Sequence, residues 1–284
     1  MLRSGGSDYM NMHSTSRIFS LMRKLRRWMF SLAAVSAIAG SALGAETITA
    51  AHYAVPVERY GHFALGRPHE YAQLVATTSS GRSLALDLGQ DEVFEDLEPR
   101  LVRMAADEPE VILAIVSQRD RGSRLVLIRL NADGLALSAQ SPAIGTPNRW
   151  LNPVAAVDLD GDGQAEIAAV ITPHIGGPLK AYRRRGTDLV EIAALAGFSN
   201  HVYGTTELAL SAAMQIGGRV RLLVPDAARL HLRIIALENG RLVETGRCAL
   251  SAPITGAIRQ LSPGEVSVGV LSGRQRIVIG DCQR

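Results

Sequence analysis

Four stretches of the chain repeat the same order of short apolar runs and polar turns, and this repeat limits the fold more than any other feature. The two clearest copies are aligned by Leu-Val-Glu triplets at 189–191 and 242–244, which lie 53 residues apart. The same offset places Val220 over Ile167. The apolar runs are bounded by Gly, Asn or Asp, which is typical of β-strands joined by turns. The sequence therefore predicts strand-only units of about 50 residues.

Strand-only repeats of this length are typical of a β-propeller, in which each unit is a blade that buries its faces against its neighbours. We predict that residues 46–284 form a single all-β domain, a β-propeller of about five blades. The last copy, at 265–279, is incomplete. Residues 46–66 are predicted to supply N-terminal strands that close this last blade and remove its exposed edge. A two-sheet β-sandwich is the alternative, although a sandwich does not require a fixed offset.

The first 45 residues have the order of a secretory signal peptide. A basic cluster at 23–27 precedes an apolar stretch at 28–43, and small residues follow at 44–45. Met22 is a possible true start, because residues 1–21 add nothing that a signal needs. The apolar stretch is short for a membrane-spanning helix. We therefore predict a periplasmic or secreted protein without a transmembrane anchor after removal of the signal.

The distribution of charge argues against a nucleic-acid partner. Six of the 30 Lys and Arg residues but only one of the 27 Asp and Glu residues precede Glu46, so the remainder carries a formal charge of −2. A basic patch of the kind that nucleic acids bind is not expected there. The apolar content of 47% is ample for a folded core.

Cys248 and Cys282 are the two cysteines of the chain. An even number of cysteines in an exported protein is compatible with a disulfide between them, which would tie down the C-terminus. Two separate thiols are the alternative.

The stretch 158–166 reads Asp-Leu-Asp-Gly-Asp-Gly-Gln-Ala-Glu and is the strongest candidate for a ligand site. Its carboxylates are hard oxygen ligands of the type that Ca²⁺ prefers, and its glycines let the backbone turn. Without a cation, aspartates about 4 Å apart would repel by roughly 4 kcal/mol per pair at an effective dielectric constant of 20. One structural calcium ion is predicted, with five ligands: the side chains of Asp158, Asp160, Asp162 and Glu166 and the main-chain carbonyl of Gln164. An ordinary exposed turn is the alternative.

Residues 157–167, Val-Asp-Leu-Asp-Gly-Asp-Gly-Gln-Ala-Glu-Ile, resemble the FG-GAP or VCBS-type repeat of integrin α chains and of many exported bacterial proteins. The resemblance implies a calcium-binding loop between two strands of a blade. The wider context, at 149–151, 173–174 and 200–201, resembles a group of exported proteobacterial proteins that carry this repeat. Glu166 departs from the repeat, which usually has Asp at that position.

The corresponding loop of the preceding unit has lost its ligands. Val102, Met104 and Ala106 stand where the three aspartates would be. One calcium site is therefore expected rather than a series of sites.

Other polar and aromatic residues allow two interpretations each. His174 and His201 are candidate general bases, although a loop histidine more often has a structural hydrogen bond. Trp150, Tyr182 and Tyr203 are candidates for a glycan- or peptide-binding surface or for packing between blades. The run Arg183 to Arg185 is interpreted as an exposed hairpin edge.

No nucleophile elbow, zinc-protease motif or phosphate-binding loop occurs in the sequence. The sequence therefore predicts an exported calcium-binding β-propeller that acts as a non-catalytic binding or scaffold module for a protein or glycan. The alternative is a propeller enzyme acting on a polysaccharide or sugar, with its chemistry at the central opening.

Overall fold

The computed structural model describes residues 45–283. The predicted signal peptide, residues 1–45, lies outside the described residues except for its last position, and it stays a prediction. Within the described range the chain forms 19 β-strands and two short 3₁₀ helices, Pro173–Ile175 and Ile279–Asp281. No helix in this part of the chain has the length and apolar character needed to cross a lipid bilayer.

The strands form three hydrogen-bonded sheets of 12, 4 and 3 strands. We divide the 12-stranded sheet into three successive groups, which gives five groups in all, called blades 1 to 5, and neighbouring strands within each blade are antiparallel. Blade 1 contains β1 (Ile48–Pro56), β2 (Tyr71–Thr78) and β3 (Ser83–Asp87), and blade 2 contains β5 (Arg100–Val102), β6 (Val111–Gln118), β7 (Gly122–Asn131) and β8 (Gly134–Gln140). Between them β4 (Glu92–Phe94) pairs with both β2 and β6. A single parallel contact between β8 and β12 links blade 2 to blade 3.

Blade 3 contains β9 (Leu151–Val157), β10 (Glu166–Ile171), β11 (Leu179–Arg185) and β12 (Asp188–Leu195). Blade 4 contains β13 (Ala212–Ile216), β14 (Arg219–Pro225), β15 (His231–Glu238) and β16 (Arg241–Ala249). Blade 5 contains β17 (Ile254–Ser262), β18 (Glu265–Val270) and β19 (Gly273–Val278).

An irregularity of strand pairing recurs at the predicted offset. In blade 3 the register between β11 and β12 shifts between Ala181 and Tyr182, and in blade 4 the β15–β16 register shifts 53 residues later, between Ile234 and Ile235. Blade 2 has the same shift after Leu127. A β-bulge increases the local twist of a strand pair. In blades 2 to 4 the repeat in the sequence is therefore also a repeat of structure, including the position of this irregularity.

Each blade packs on the next through a layer of buried apolar side chains. In β6, Ile112 and Ala114 face blade 1, whereas Leu113 and Ile115 face blade 3. Successive side chains of a strand point to opposite faces, so a strand that is apolar throughout contributes to two layers. Equivalent layers join blade 3 to blade 4 and blade 4 to blade 5.

Five antiparallel blades that stack face to face have the architecture of a β-propeller, which confirms the predicted fold class. The alternative two-sheet sandwich is wrong. The strands of a sandwich alternate between residues that face the core and residues that face solvent. In contrast, β10 is buried on both of its faces along its whole length.

The prediction that residues 46–66 close the last blade is wrong, because β1 pairs with β2 of blade 1 along its length. Tyr53 of β1 stacks on the rings of Tyr71 and Phe94, with centroid distances of 5.5 and 5.1 Å. Strands that follow one another in sequence usually pair with each other. Local pairing and this aromatic cluster therefore hold β1 in blade 1, and blade 5 has three strands among the described residues.

The end of the described chain is fastened to blade 4. Cys248 of β16 and Cys282 lie at disulfide distance, with Cα atoms 4.6 Å apart, as predicted. Beside them, Arg247 and Gln283 exchange two backbone hydrogen bonds of 2.7 and 3.0 Å. The segment after blade 5 is therefore held along the outer edge of β16.

Candidate functional site

The Asp-rich stretch forms the hairpin loop between β9 and β10 of blade 3. Oδ1 of Asp158 accepts hydrogen bonds from the amides of Gly161 and Asp162, at 2.7 and 3.2 Å, and Oδ2 accepts one from the amide of Gly163 at 2.9 Å. Both glycines have φ of 87°, a left-handed conformation that glycine adopts readily. The backbone of the loop is therefore wrapped around the carboxylate of Asp158.

A guanidinium group lies among the other carboxylates of this loop. Arg183 stands opposite Glu166 in the β10–β11 pair, and its Nε donates a hydrogen bond to Glu166 Oε1 at 2.9 Å. Its terminal nitrogens lie 2.7 Å from Asp160 Oδ2 and 3.3 Å from Asp162 Oδ2. The interpretation of Arg183 as part of a solvated hairpin edge is wrong, because its charge is directed at three carboxylates.

Burial and pairing act in opposite directions on this cluster. Burial of the Glu166 side chain raises the pKa of its carboxyl group, while hydrogen bonds from Leu159 and Arg183 partly offset that effect. Hydrogen bonds to Glu166 and Asp160 raise the pKa of Arg183. Burial alone would favour the neutral form of Glu166. The guanidinium of Arg183 therefore stabilises the ionised form of this glutamate.

The predicted calcium ligands are only partly brought together. One carboxylate oxygen each from Asp158, Asp160 and Glu166 lie within 4.8 Å of one another, a spacing that one cation can bridge. Asp162 lies outside this group of carboxylates. The donor set thus fits a hard divalent cation, but the neighbouring guanidinium already contacts two of its three members.

The corresponding loop of blade 2 serves as a packing surface. Met104 and Ala105 are buried, and the Met104 carbonyl accepts a hydrogen bond from the amide of Ala165 at 2.8 Å. Ala105 also pairs with Gln164 in an isolated β-bridge. This loop, which lacks aspartates at the three aligned positions, therefore supports the Asp-rich loop from the side of blade 2.

A second cluster joins residues that are far apart in the sequence. His62 lies in the loop between β1 and β2, Trp150 directly precedes β9, His174 lies in the first 3₁₀ helix, and His201 and Tyr203 lie between β12 and β13. The His174 ring stacks parallel to Trp150 at 5.8 Å and meets Tyr203 edge-on at 5.2 Å. The ring of His62 lies 5.9 Å from Tyr203. Four of these five residues were candidates in the sequence.

Hydrogen bonds assign the protons of the three imidazoles. Nε2 of His201 lies 3.0 Å from the carbonyl oxygen of Thr205, which only accepts, so this nitrogen carries a hydrogen. In the neutral ring His201 Nδ1 then accepts from His174 Nε2, at 2.7 Å. Nδ1 of His62 donates to the carboxylate of Glu95 at 2.9 Å. In the neutral ring of His174 the remaining nitrogen, Nδ1, is a hydrogen-bond acceptor.

The pair His174–His201 is neutral at physiological pH. Burial, with a smaller effect of the neighbouring His201, lowers the pKa of His174 to about 3. Burial also lowers the pKa of His201 to about 4. A general base is most effective when its pKa lies near the working pH. The lowered pKa values of His174 and His201 therefore do not favour this pair as catalytic bases.

Two buried carboxylates hold the loop that carries His62. Glu70 accepts hydrogen bonds from the amides of Tyr60, Gly61 and His62, at 3.3, 3.1 and 3.0 Å. Both Glu70 and Glu95 are fully buried. Glu70 therefore fixes the backbone of this loop, and Glu95 fixes the orientation of the His62 ring.

Four residues of this cluster line a cavity of about 180 Å³. Its lining residues are His62, Asn148, Arg149, Trp150, Thr172, His174, Ile175 and Tyr203. Tyr203 and Ile175 are 55% and 71% exposed, so they present apolar surface at its rim. Thr172 has φ of 50°, a strained backbone conformation for a β-branched residue. Strain of this kind concentrates at ligand-binding sites.

The residues that line this cavity include no carboxylate. Glycoside hydrolysis ordinarily uses a pair of carboxylates across the bond that is cleaved. The cavity therefore lacks the groups expected for a polysaccharide-cleaving centre.

Tyr182, the remaining aromatic candidate, lies elsewhere. It is 5% exposed and packs in the layer between blades 2 and 3, so the packing interpretation is correct for it. Sequence reasoning missed His62 and Glu95. The sequence contained one signal that Glu95 belongs to a site. Glu95 directly follows the apolar pair Val93 and Phe94, and an acid that is buried beside a strand needs a hydrogen-bonding partner.

No family model matches the chain, and a search of curated proteins also found no match. Among solved structures, the crystal structure of the WD40 domain of SCAP from fission yeast is similar with a TM-score of 0.41 and 13% sequence identity. The match covers 84% of this chain and 54% of the fission-yeast chain, so this chain spans about half the length of that neighbour. The fold assignment therefore rests on the strand topology described above.

Proposed function

We propose that this protein is a non-catalytic binding module whose ligand site is the cavity bounded by His62, Trp150, His174 and Tyr203. The observation that supports the proposal is the convergence of loops from separate blades on one cavity with an apolar rim. Binding residues are commonly carried by loops that a rigid frame positions. Here the frame consists of the stacked blades, and buried glutamates fix one of the loops.

The cavity suits a ligand group that donates hydrogen bonds. His174 Nδ1 is an acceptor, while Tyr203 and Ile175 offer apolar contact. A volume of about 180 Å³ suits a group the size of one side chain or one sugar ring. We therefore propose a protein or glycan partner that places an N–H or O–H donor next to an apolar surface.

Removal of the Tyr203 ring is expected to release the partner. Truncating an aromatic hot-spot residue of an interface costs about 2 kcal/mol or more, so recovery of the partner should fall about tenfold or more. The full-length chain and its Tyr203→Ala variant, each with a C-terminal tag, are recovered from the cell envelope after crosslinking. Co-purified proteins and glycans are then quantified.

The matched control is Leu271→Ala, which removes another exposed apolar side chain, 74% exposed, beside β18 of blade 5. It should retain the partner. Equal recovery with Tyr203→Ala and wild type would exclude this cavity as the binding site. N-terminal sequencing of the recovered protein tests the associated proposal of export, which expects a first residue near Glu46.

We also propose that the Asp-rich loop binds one calcium ion, as the resemblance to FG-GAP and VCBS-type repeats implies. The ligands would be Asp158, Asp160, Asp162, Glu166 and the carbonyl of Gln164. The convergence of three carboxylates supports this proposal. The role of the ion would be to stabilise the β9–β10 hairpin.

Calcium is expected to raise the melting temperature of the wild-type protein relative to EDTA. A ligand at 100 times its dissociation constant stabilises a fold by about 2.7 kcal/mol, which corresponds to roughly 5–10 °C for a domain of this size. Asp160→Ala should abolish the difference. Identical calorimetric transitions of the wild-type protein in calcium and in EDTA would remove the calcium proposal.

A further inference from the structure

Every carboxylate of the Asp-rich loop already has a hydrogen-bonding partner within the protein. Asp158 is bonded to backbone amides of its own loop. Glu166, which is fully buried, accepts from the amide of Leu159 at 3.0 Å and from Arg183. Asp160 and Asp162 both contact the same guanidinium. The carboxylates are therefore hydrogen-bonded without any bound ion, and the one positive charge of Arg183 balances one of their four negative charges.

The position of Arg183 follows from strand register rather than from a flexible side chain reaching inward by chance. β10 and β11 pair so that Glu166 and Arg183 are directly opposite. Opposite residues of an antiparallel pair have neighbouring Cβ atoms. A planar guanidinium with several donors can contact several carboxylates at once, which a single ammonium group does less well.

We infer that Arg183 is the resident cation of the Asp-rich loop and that any divalent cation binds there only by displacing it. A metal ion coordinated by Asp160 and Glu166 would bind carboxylates that already contact Arg183, through Asp160 Oδ2 and Glu166 Oε1. The second oxygens of these carboxylates already accept hydrogen bonds from the amides of Asp162 and Leu159. Arg183 therefore determines how strongly the loop prefers a metal ion to its own side chain. The displacement part of this inference rests on the proposed calcium site, whereas the role of Arg183 in the metal-free protein does not.

The test compares wild type with Arg183→Gln and with the control Arg184→Gln. The control removes the same charge from the adjacent residue, which pairs with Glu108 of another blade. In EDTA, Arg183→Gln should melt about 5–10 °C lower than wild type, because a buried glutamate loses its cation. Arg184→Gln should remain close to wild type, since its pair is more exposed and exposed pairs contribute little.

Calcium titrations of the melting temperature then measure the competition. Half of the calcium-dependent stabilisation of Arg183→Gln should occur at a concentration at least about tenfold lower than for wild type. An equal midpoint for the two proteins would overturn the displacement. A matching melting temperature of Arg183→Gln and wild type in EDTA would overturn the role of Arg183 as resident cation.

The two proposals for this loop fail in different ways. If calcium shifts neither protein while Arg183→Gln melts lower in EDTA, the calcium proposal falls and Arg183 stands as the sole cation of the loop. If calcium stabilises both proteins with equal midpoints and equal EDTA melting temperatures, calcium binding stands and the inference about Arg183 falls. The capture experiment with Tyr203→Ala is independent of both results.

Discussion

Replacement of Trp150 by alanine is expected to lower the free energy of unfolding by about 3–5 kcal/mol, the range measured for truncation of large buried aromatic residues. Trp150 is 1% exposed and belongs to the apolar layer between blades 2 and 3. Its indole Nε1 donates to the carbonyl oxygen of Glu95 at 2.8 Å. The substitution therefore removes packing and leaves a buried acceptor unpaired. Urea denaturation followed by circular dichroism measures the change.

Trp150→Phe separates these two effects. It keeps an aromatic ring beside His174 but loses the indole N–H, so it should cost about 1–3 kcal/mol for the unpaired carbonyl of Glu95. Trp150→Leu, which loses the aromatic stacking as well, should lie between Trp150→Phe and Trp150→Ala. A loss below about 1 kcal/mol for Trp150→Ala would contradict the placement of this side chain in the core.

The regular part of the fold was predictable because it is local and repeated. A strand, a turn and the next strand are specified by adjacent residues, and the 53-residue offset in the sequence aligns β11 with β15. The role of β1 was not predictable from the same pattern. Its membership of blade 1 depends on the stacking of Tyr53 on Tyr71 and Phe94, and a strand pattern does not specify which neighbour a terminal strand joins.

The acidic half of the Asp-rich loop was predictable, but its cation was not. The carboxylates lie within nine residues and share one turn, so their proximity follows from the sequence alone. Arg183 reaches them only because β10 and β11 pair in one particular register. A shift of one residue would place Arg183 on the opposite face of the strand. The charge repulsion that suggested a bound ion is therefore partly relieved by a residue whose position depends on tertiary structure.

The second cluster was harder to predict than the first. The hydroxyl of Tyr203 donates to the carbonyl oxygen of His62 at 2.6 Å across a sequence separation of 141 residues. His62 lies in a connecting segment without periodicity, so no pattern linked it to His174 or His201. Only the stacking of blade 1 on blade 2, and of blade 2 on blade 3, brings these loops together. Candidate residues could thus be named individually from the sequence, while their contacts could not.

Acidification from pH 7 to about pH 4.5 is expected to destabilise the protein by about 3–5 kcal/mol through His174 and His201 alone. The fold lowers the pKa of these residues to about 3 and about 4, from 6.5 in each case. Between these folded values and 6.5, the unfolded chain binds protons that the folded protein does not. Stability therefore rises with pH across this window and is lost as pH falls through it.

The measurement is the slope of unfolding free energy against pH for wild type, for His174→Gln/His201→Gln and for His52→Gln. The double variant should have a shallower slope between pH 4.5 and 6.5, whatever its stability at pH 7, because both proton-excluding groups are gone. His52, which is exposed on β1, serves as the histidine-substitution control outside the pair. Carboxylates protonate in all three proteins and contribute similarly to each. Equal slopes for wild type and the double variant would show that the pair is not held neutral, and the assignment of His174 Nδ1 as an acceptor in the cavity would then fail with it.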